Sequence, residues 1–290
     1  MSRGSRRRAA GERRRIEEEL EALRERYPKP VLERVLDLRR YMPFTLSVVS
    51  LTGERKAELL LVRGSQPRIT LLDLDGRVIW EREGELKLFF QSEPYEDGHA
   101  DLIGIFNGEL AILDGRDGRL IRSRPLPELP GRRLRWLFHT QRCANLTGGP
   151  VPRDIIIREG NEGDTLWAFD RELNLLWSAT VRPRFGHGYS IGFHDVDGDG
   201  REEVLAGGTL LSPDGEVIWV MEGAEEVIRK RGGEHVDAVA IGNFAGDEEV
   251  DPVAHLCCGS AGVYVLDALT GRIREVHRVG HAQGRSVGNY

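Results

Sequence analysis

The stretch Asp195-Val-Asp-Gly-Asp-Gly-Arg-Glu-Glu203 decides how this chain is read. Carboxylates stand at its first, third and fifth positions, Gly200 at the sixth and an acid at the ninth. A hard cation such as Ca²⁺ collects oxygen ligands from a turn of this kind. Asp195, Asp197 and Asp199 supply side-chain oxygens, Arg201 its carbonyl and Glu203 the closing carboxylate. A helix-flanked EF-hand needs glutamate at its twelfth position, where this chain has Ala206. Because Glu203 runs straight into apolar Val204-Leu205-Ala206, the spacing predicts a calcium loop joining two β-strands.

Weaker copies of the loop recur along the chain, and internal repetition governs the fold. Residues 50–58 align with 195–203 without a gap, 93–101 keep an Asp-Gly pair and a closing acid, 243–251 keep an Asx start, and 145–154 fit with one inserted residue. The closing acids Glu58, Asp101, Asp154, Glu203 and Asp251 are separated by 43, 53, 49 and 48 residues. That is the length of a four-stranded propeller blade.

After each loop come three apolar runs. In the first unit they cover 58–62, 69–72 and 77–81; in the second 101–106, 109–113 and 119–122; in the third 154–157, 165–169 and 173–179. The fourth has 203–206, 209–211 and 216–220, and the fifth 253–257, 262–266 and 272–276. Asp75-Gly76, Asp117-Gly118 and Asp214-Gly215 between runs are hairpin signals, since both residues tolerate positive φ. Trp80, Trp167, Trp177 and Trp219 recur at strand ends and are expected to fill the space between blades. The sequence thus predicts an all-β propeller over 44–290, with five four-stranded blades plus the first strand of a sixth in 281–290. An open arc leaves unpaired edges, so a truncated piece of a six- to eight-bladed protein is expected.

A fourth, innermost strand precedes each loop, and several open with a histidine. His139, His187, His235 and His281 are 48, 48 and 46 residues apart and begin visibly related segments. At about 3.3 Å per residue, the eight steps from His187 to Asp195 span roughly 26 Å, placing imidazoles and calcium loop on opposite faces. Calcium is then a clamp, and the imidazoles face the mouth of the channel.

Composition excludes several classes. A formal charge of −6 argues against a nucleic-acid partner, and no apolar run reaches transmembrane length or follows the N-terminal arginines as a signal sequence would. A cytoplasmic, soluble chain is expected. Residues 1–43 stand apart: an arginine-rich start, a helix carrying Ile16, Leu20, Leu23 and Tyr27 on one stripe, and a second helix over 31–40. Cys143, Cys257 and Cys258 lack zinc spacing and read as buried. Gly188-Tyr-Ser-Ile-Gly192 matches a nucleophile elbow in letters only, because it sits within a strand.

The 195–203 loop and its echoes resemble the FG-GAP or VCBS repeats of integrin-alpha-type propellers. Gly186-His187-Gly188 before the loop, His235-Val-Asp-Ala-Val before Gly242-Asn243-Phe244, and Gly280-His281-Ala-Gln before Gly288-Asn-Tyr are more narrowly similar to the rhamnogalacturonan lyase group of polysaccharide lyases. That resemblance implies Ca²⁺ and β-elimination on uronic-acid-containing oligosaccharides. A base must take the C5 proton while cationic donors neutralise the carboxylate. His187, His235 and His281 are the candidate bases. Arg142, three residues after His139, and Arg285, four after His281, are the candidate carboxylate holders together with His139. The alternative is a non-catalytic propeller that binds carbohydrate or a protein on its histidine face.

Overall fold

A computed structural model describes residues 33–54, 56–64, 66–128, 137–139, 142–159, 165–181, 191–223, 236–244, 252–259, 261–280 and 282, with Glu19, Glu21, Ala22 and Arg26. The chain divides into two compact units, 1–40 and 41–290. Within the first, those four residues are helical and exposed, while the apolar stripe lies outside the described residues. The second expected helix is corrected: 33–38 are irregular and only a 3₁₀ turn, Arg39–Tyr41, follows. The cause is local. Asp37 Oδ1 accepts from the Arg39 backbone N–H and Nε at 3.1 and 2.8 Å, an alternative to helical pairing, and Val35 has nothing to bury against.

The second unit contains five antiparallel four-stranded sheets, each running in chain order. Blade 1 is β1 (Thr45–Val49), β2 (Glu58–Arg63), β3 (Arg68–Leu72) and β4 (Val78–Glu83). Blade 2 is β5 (Leu86–Gln91), β6 (Leu102–Phe106), β7 (Glu109–Leu113) and β8 (Leu120–Pro125). Blade 3 is β9 (Leu137–His139), β10 (Ile155–Glu159), β11 (Thr165–Phe169) and β12 (Leu175–Thr180). Blade 4 is β13 (Ile191–His194), β14 (Glu203–Ala206), β15 (Thr209–Leu211) and β16 (Val217–Val220), and blade 5 is β17 (Ala238–Gly242), β18 (Val253–Cys257), β19 (Val263–Asp267) and β20 (Ile273–His277). Fifteen of these strands are the expected apolar runs after the loops, shifted at most by a few residues. Of the sixth-blade strand only Ala282 is described, bridging to Gly259.

The core lies between blades, because both faces of the middle strands are apolar. One cluster joins Leu60, Leu71 and Trp80 of blade 1 to Leu102 and Leu113 of blade 2. Others join Ile105 to Ile157 and Trp167, Ile156 to Val204 and Leu211, and Leu205 and Trp219 to Leu256 and Leu266. Each fully buried aliphatic side chain contributes about 1.5–3 kcal/mol of transfer free energy. Cys143, Cys257 and Cys258 are buried and unpaired by disulfide, as expected.

Tryptophan clasps the seams. Trp80 Nε1 donates to Gly115 O at 2.9 Å, Trp177 to Pro213 O at 2.8 Å and Trp219 to Ala268 O at 2.8 Å, each reaching from a fourth strand to the next blade. The rings lie on Gly118, Gly215 and Gly271, where an added Cβ would stand 2.7, 2.6 and 2.6 Å from ring carbon. At the second seam Arg122 occupies the register position of these tryptophans. There Arg124 donates to Leu173 O at 2.6 Å and lies 5.6 Å over the Phe169 ring, and Leu173, at φ 61°, takes the place of the turn glycine.

The turn chemistry differs from the expectation. In Asp75-Gly76, Asp117-Gly118 and Asp214-Gly215 only the glycine has positive φ. In the first, Gly76 N donates to Asp73 O and Asp73 N to Arg77 O, both at 3.0 Å, and the register then slips between Leu71 and Leu72. The same slip occurs in all five blades, so these turns end in a bulge rather than forming two-residue hairpins. The two-residue form occurs at Asn107-Gly108, with φ 51° and 87°.

Gly108 and Gly215 separate strain from packing, since their φ values are 87° and 84° and a Cβ would meet nothing within 4 Å at the first. Gly108→Ala is expected to cost about 1–2 kcal/mol from backbone strain. Gly215→Ala should cost about 1–3 kcal/mol more, because the Trp177 ring must shift. Urea unfolding of the two variants measures the difference.

Candidate functional site

The loops before the second strands share one device: the closing acid is buried and turned back on the loop. Glu58 Oε2 accepts from Leu51 N at 2.7 Å, and Oε1 accepts from Thr52 N at 3.2 Å and from the Thr52 hydroxyl. Asp154 Oδ2 accepts from Leu146 N, Thr147 N and Thr147 Oγ1 at 2.8, 2.9 and 2.9 Å. Glu203 Oε2 accepts from Val196 N at 2.7 Å. Burial raises the Asp154 and Glu203 carboxyls above their ordinary range; the backbone N–H groups pull them down, and Asp197 pushes Glu203 further up. Asp251 lies outside the described residues.

In the 195–203 loop the carboxylates of Asp195, Asp197 and Glu203 converge, one oxygen from each within 4.8 Å of the others, a group able to hold a metal ion. Three acids and no nitrogen or sulfur suit a hard cation. Asp199 stands outside this group and accepts from Arg201 N at 2.7 Å. Asp195 accepts from Gly198 N and Gly200 N at 2.7 and 2.9 Å, so the turn is wound around its first carboxylate. The Arg201 side chain donates to Leu146 O at 2.7 Å and forks onto Asp214.

Neighbouring loops are stitched together. Ala100 N donates to Leu51 O at 3.0 Å between blades 1 and 2. Arg153 of blade 3 lies 4.2 Å over the Tyr95 ring of blade 2 and donates to Pro94 O at 3.2 Å. Glu202 N donates to Asn145 O, and Asn145 N to Glu202 Oε2, both at 2.8 Å between blades 3 and 4.

Arg142 belongs to that last seam. Its Nη2 and Nη1 fork onto Glu202 at 2.7 and 3.1 Å, Nη2 donates to Phe193 O at 3.1 Å, and the guanidinium lies 5.1 Å over the Phe193 ring. The carboxylate it holds here is the protein's own. His139 pairs with Ile157 at the end of β9, so this inner strand begins at Leu137 rather than at the histidine. His187, His235, His281 and Arg285 lie outside the described residues.

Sequence reasoning passed over a second convergence, His99, Asp101 and Asp114, whose ligand atoms also lie within 4.8 Å of one another. The signal was available in the second loop, where His99 precedes the closing acid, but Asp114 comes from the turn after β7.

No family model and no curated protein matches the chain. Among solved structures, an exotype rhamnogalacturonan lyase, YesX, matches with TM-score 0.59 and 19% identity over 83% of this chain and 50% of its own. The rhamnogalacturonan lyase of Bacillus licheniformis gives 0.58 and 18% over 82% and 51%. The biofilm matrix protein Bap1 of V. cholerae gives 0.50 and 17% over 78% and 36%. The chain spans about half the length of the two lyases. These likenesses, with five four-stranded sheets in sequential order, define a β-propeller. Among the described residues, no helix is long and apolar enough to cross a membrane.

The loops divide into those tied by N–H groups and the one rich in carboxylate. Glu58→Ala leaves buried donors unmet and should lower stability by about 2–4 kcal/mol. The loss is expected to be the same in calcium and in chelator by urea unfolding.

Proposed function

We propose that this chain is a calcium-binding propeller of the rhamnogalacturonan-lyase kind, acting on uronic-acid-containing oligosaccharides by β-elimination. The observation that carries it is the likeness of 83% of the chain to such a lyase, joined to the Asp195, Asp197 and Glu203 group on the loop. Those three carboxylates would hold Ca²⁺, with Asp199 and the Arg201 carbonyl completing the set. The ion's contribution is to neutralise acids that crowd one turn.

The chemistry falls to this chain's own side chains. A neutral imidazole from His187, His235 or His281 takes the C5 proton of the uronate, the C4–O bond breaks as the C4=C5 bond forms, and the imidazolium returns its proton to the departing oxygen. Arg285 and His139 steady the uronate carboxylate, whose neutralisation acidifies C5. A cytoplasmic setting, with oligosaccharide as substrate, accords with three buried cysteines and no disulfide among the described residues.

The reading as a non-catalytic carbohydrate- or protein-binding propeller with FG-GAP-type loops is favoured by one observation. Arg142 is already occupied by Glu202, and the described lysines Lys56 and Lys87 pair with Glu54 and Glu85.

Incubation with rhamnogalacturonan and polygalacturonate oligosaccharides is expected to generate the ultraviolet absorbance of an unsaturated uronate. His187→Ala, His235→Ala or His281→Ala should cut that rate about 10²–10⁴-fold at the position of the base. No absorbance from any pectic substrate, with bound sugar still detected calorimetrically, would instead establish the binding module.

Calcium at 100 times its Kd should stabilise the folded chain by about 2.7 kcal/mol. Glu203→Gln is expected to abolish the rise in melting temperature. An equal rise in that variant would remove calcium from this loop.

A further inference from the structure

The convergence of His99, Asp101 and Asp114 lies on the seam between blades 2 and 3, in a cavity of about 250 Å³ also lined by Ser92, Tyr95, Arg116 and Arg153. Asp101 is 5% exposed. Its Oδ2 accepts from the Tyr95 hydroxyl at 2.6 Å, while Oδ1 is buried and has no hydrogen-bond partner among the described residues. A buried carboxylate oxygen left unpaired is costly, and native structures satisfy it with a proton, water or cation. The two neighbours decide among these.

His99 is stacked on Tyr95, with centroids 4.4 Å apart, and its Nδ1 contacts Asp97 Oδ1. A carboxylate on one ring nitrogen fixes the tautomer and leaves Nε2 as the basic, ligand-ready atom. Asp114 is 2% exposed and accepts from the Arg116 backbone N–H, Nε and Nη2 at 3.0, 3.0 and 2.7 Å. A carboxylate offers about four lone-pair directions, so these three hydrogen bonds leave about one for a ligand.

We propose that His99, Asp101 and Asp114 form a second metal site, distinct from the 195–203 loop, that takes a divalent first-row transition ion in preference to calcium. An imidazole nitrogen with two carboxylates suits Zn²⁺ or Mn²⁺ better than it suits Ca²⁺, which takes oxygen ligands. Zinc bonds of about 2.1 Å place paired ligands about 3.4 Å apart, so each pair, now within 4.8 Å, closes in by about 1.4 Å at most. The ion fills the vacant Oδ1 position and ties the second blade's loop to the turn after β7. It lies one seam away from any calcium at Asp195.

The full chain, stripped with chelator and dialysed against Zn²⁺ in excess Ca²⁺, is expected to retain one zinc more per chain than His99→Gln or Asp101→Asn. Asp101→Asn keeps an acceptor for Tyr95 and removes a buried charge, so it remains folded by circular dichroism. Affinity should fall at least about 100-fold in both variants. Asp197→Asn should leave zinc unchanged, and Co²⁺ in the wild type should give a visible d–d spectrum that His99→Gln abolishes. Equal zinc content in wild type and His99→Gln overturns the proposal, as does displacement of the zinc by calcium. No retained zinc also overturns it.

Discussion

In blades 1 to 4 a carboxylate at or just before the first residue of the second strand is held in the protein interior, and the loop in front of it must answer that charge. Glu58 and Asp154 are answered by backbone N–H groups and a threonine hydroxyl. Glu203 receives one N–H and faces two more acids. Asp101 receives a tyrosine hydroxyl and retains an unpaired oxygen. The same backbone position therefore carries different chemistry in each blade. The two loops in which a threonine hydroxyl reaches the acid close on themselves, and the other two bring further ligand-type side chains beside it.

The loops matter because they sit where blades meet. A single four-stranded sheet cannot bury both faces, so each blade borrows its neighbour's surface, and the hydrophobic clusters fall between blades. Backbone and arginine contacts extend that contiguity along the loop edge from blade 1 to blade 4. A cation bound in one loop thus acts on a seam rather than on a single turn.

The fold was legible because both of its periods are short. Short continuous apolar runs marked strands such as Glu109–Leu113 and Thr209–Leu211 with their boundaries, and the spacing of acids marked the blade. The tryptophan seams followed from ring size at strand ends. What escaped was set by contacts distant in sequence. Arg142 looks like a ligand for substrate until Glu202, 60 residues away, occupies its fork. Asp114 is invisible beside His99 until β6 and β7 fold the turn against the loop. The Asp-Gly turns were located correctly, but their conformation depended on a bulge that the letters do not encode.

Leu173 and Arg124 mark the one described seam among the first four that has no indole lying on a turn glycine. A linear array of nearest-neighbour units parts first at its weakest joint, and a guanidinium that remains close to water resists solvent less than a buried ring. Amide exchange would then divide the array into a two-blade and a three-blade foldon, with protection dropping across Arg124. The departure from the repeat is in that sense a built-in hinge for partial unfolding, located by a leucine in the left-handed region.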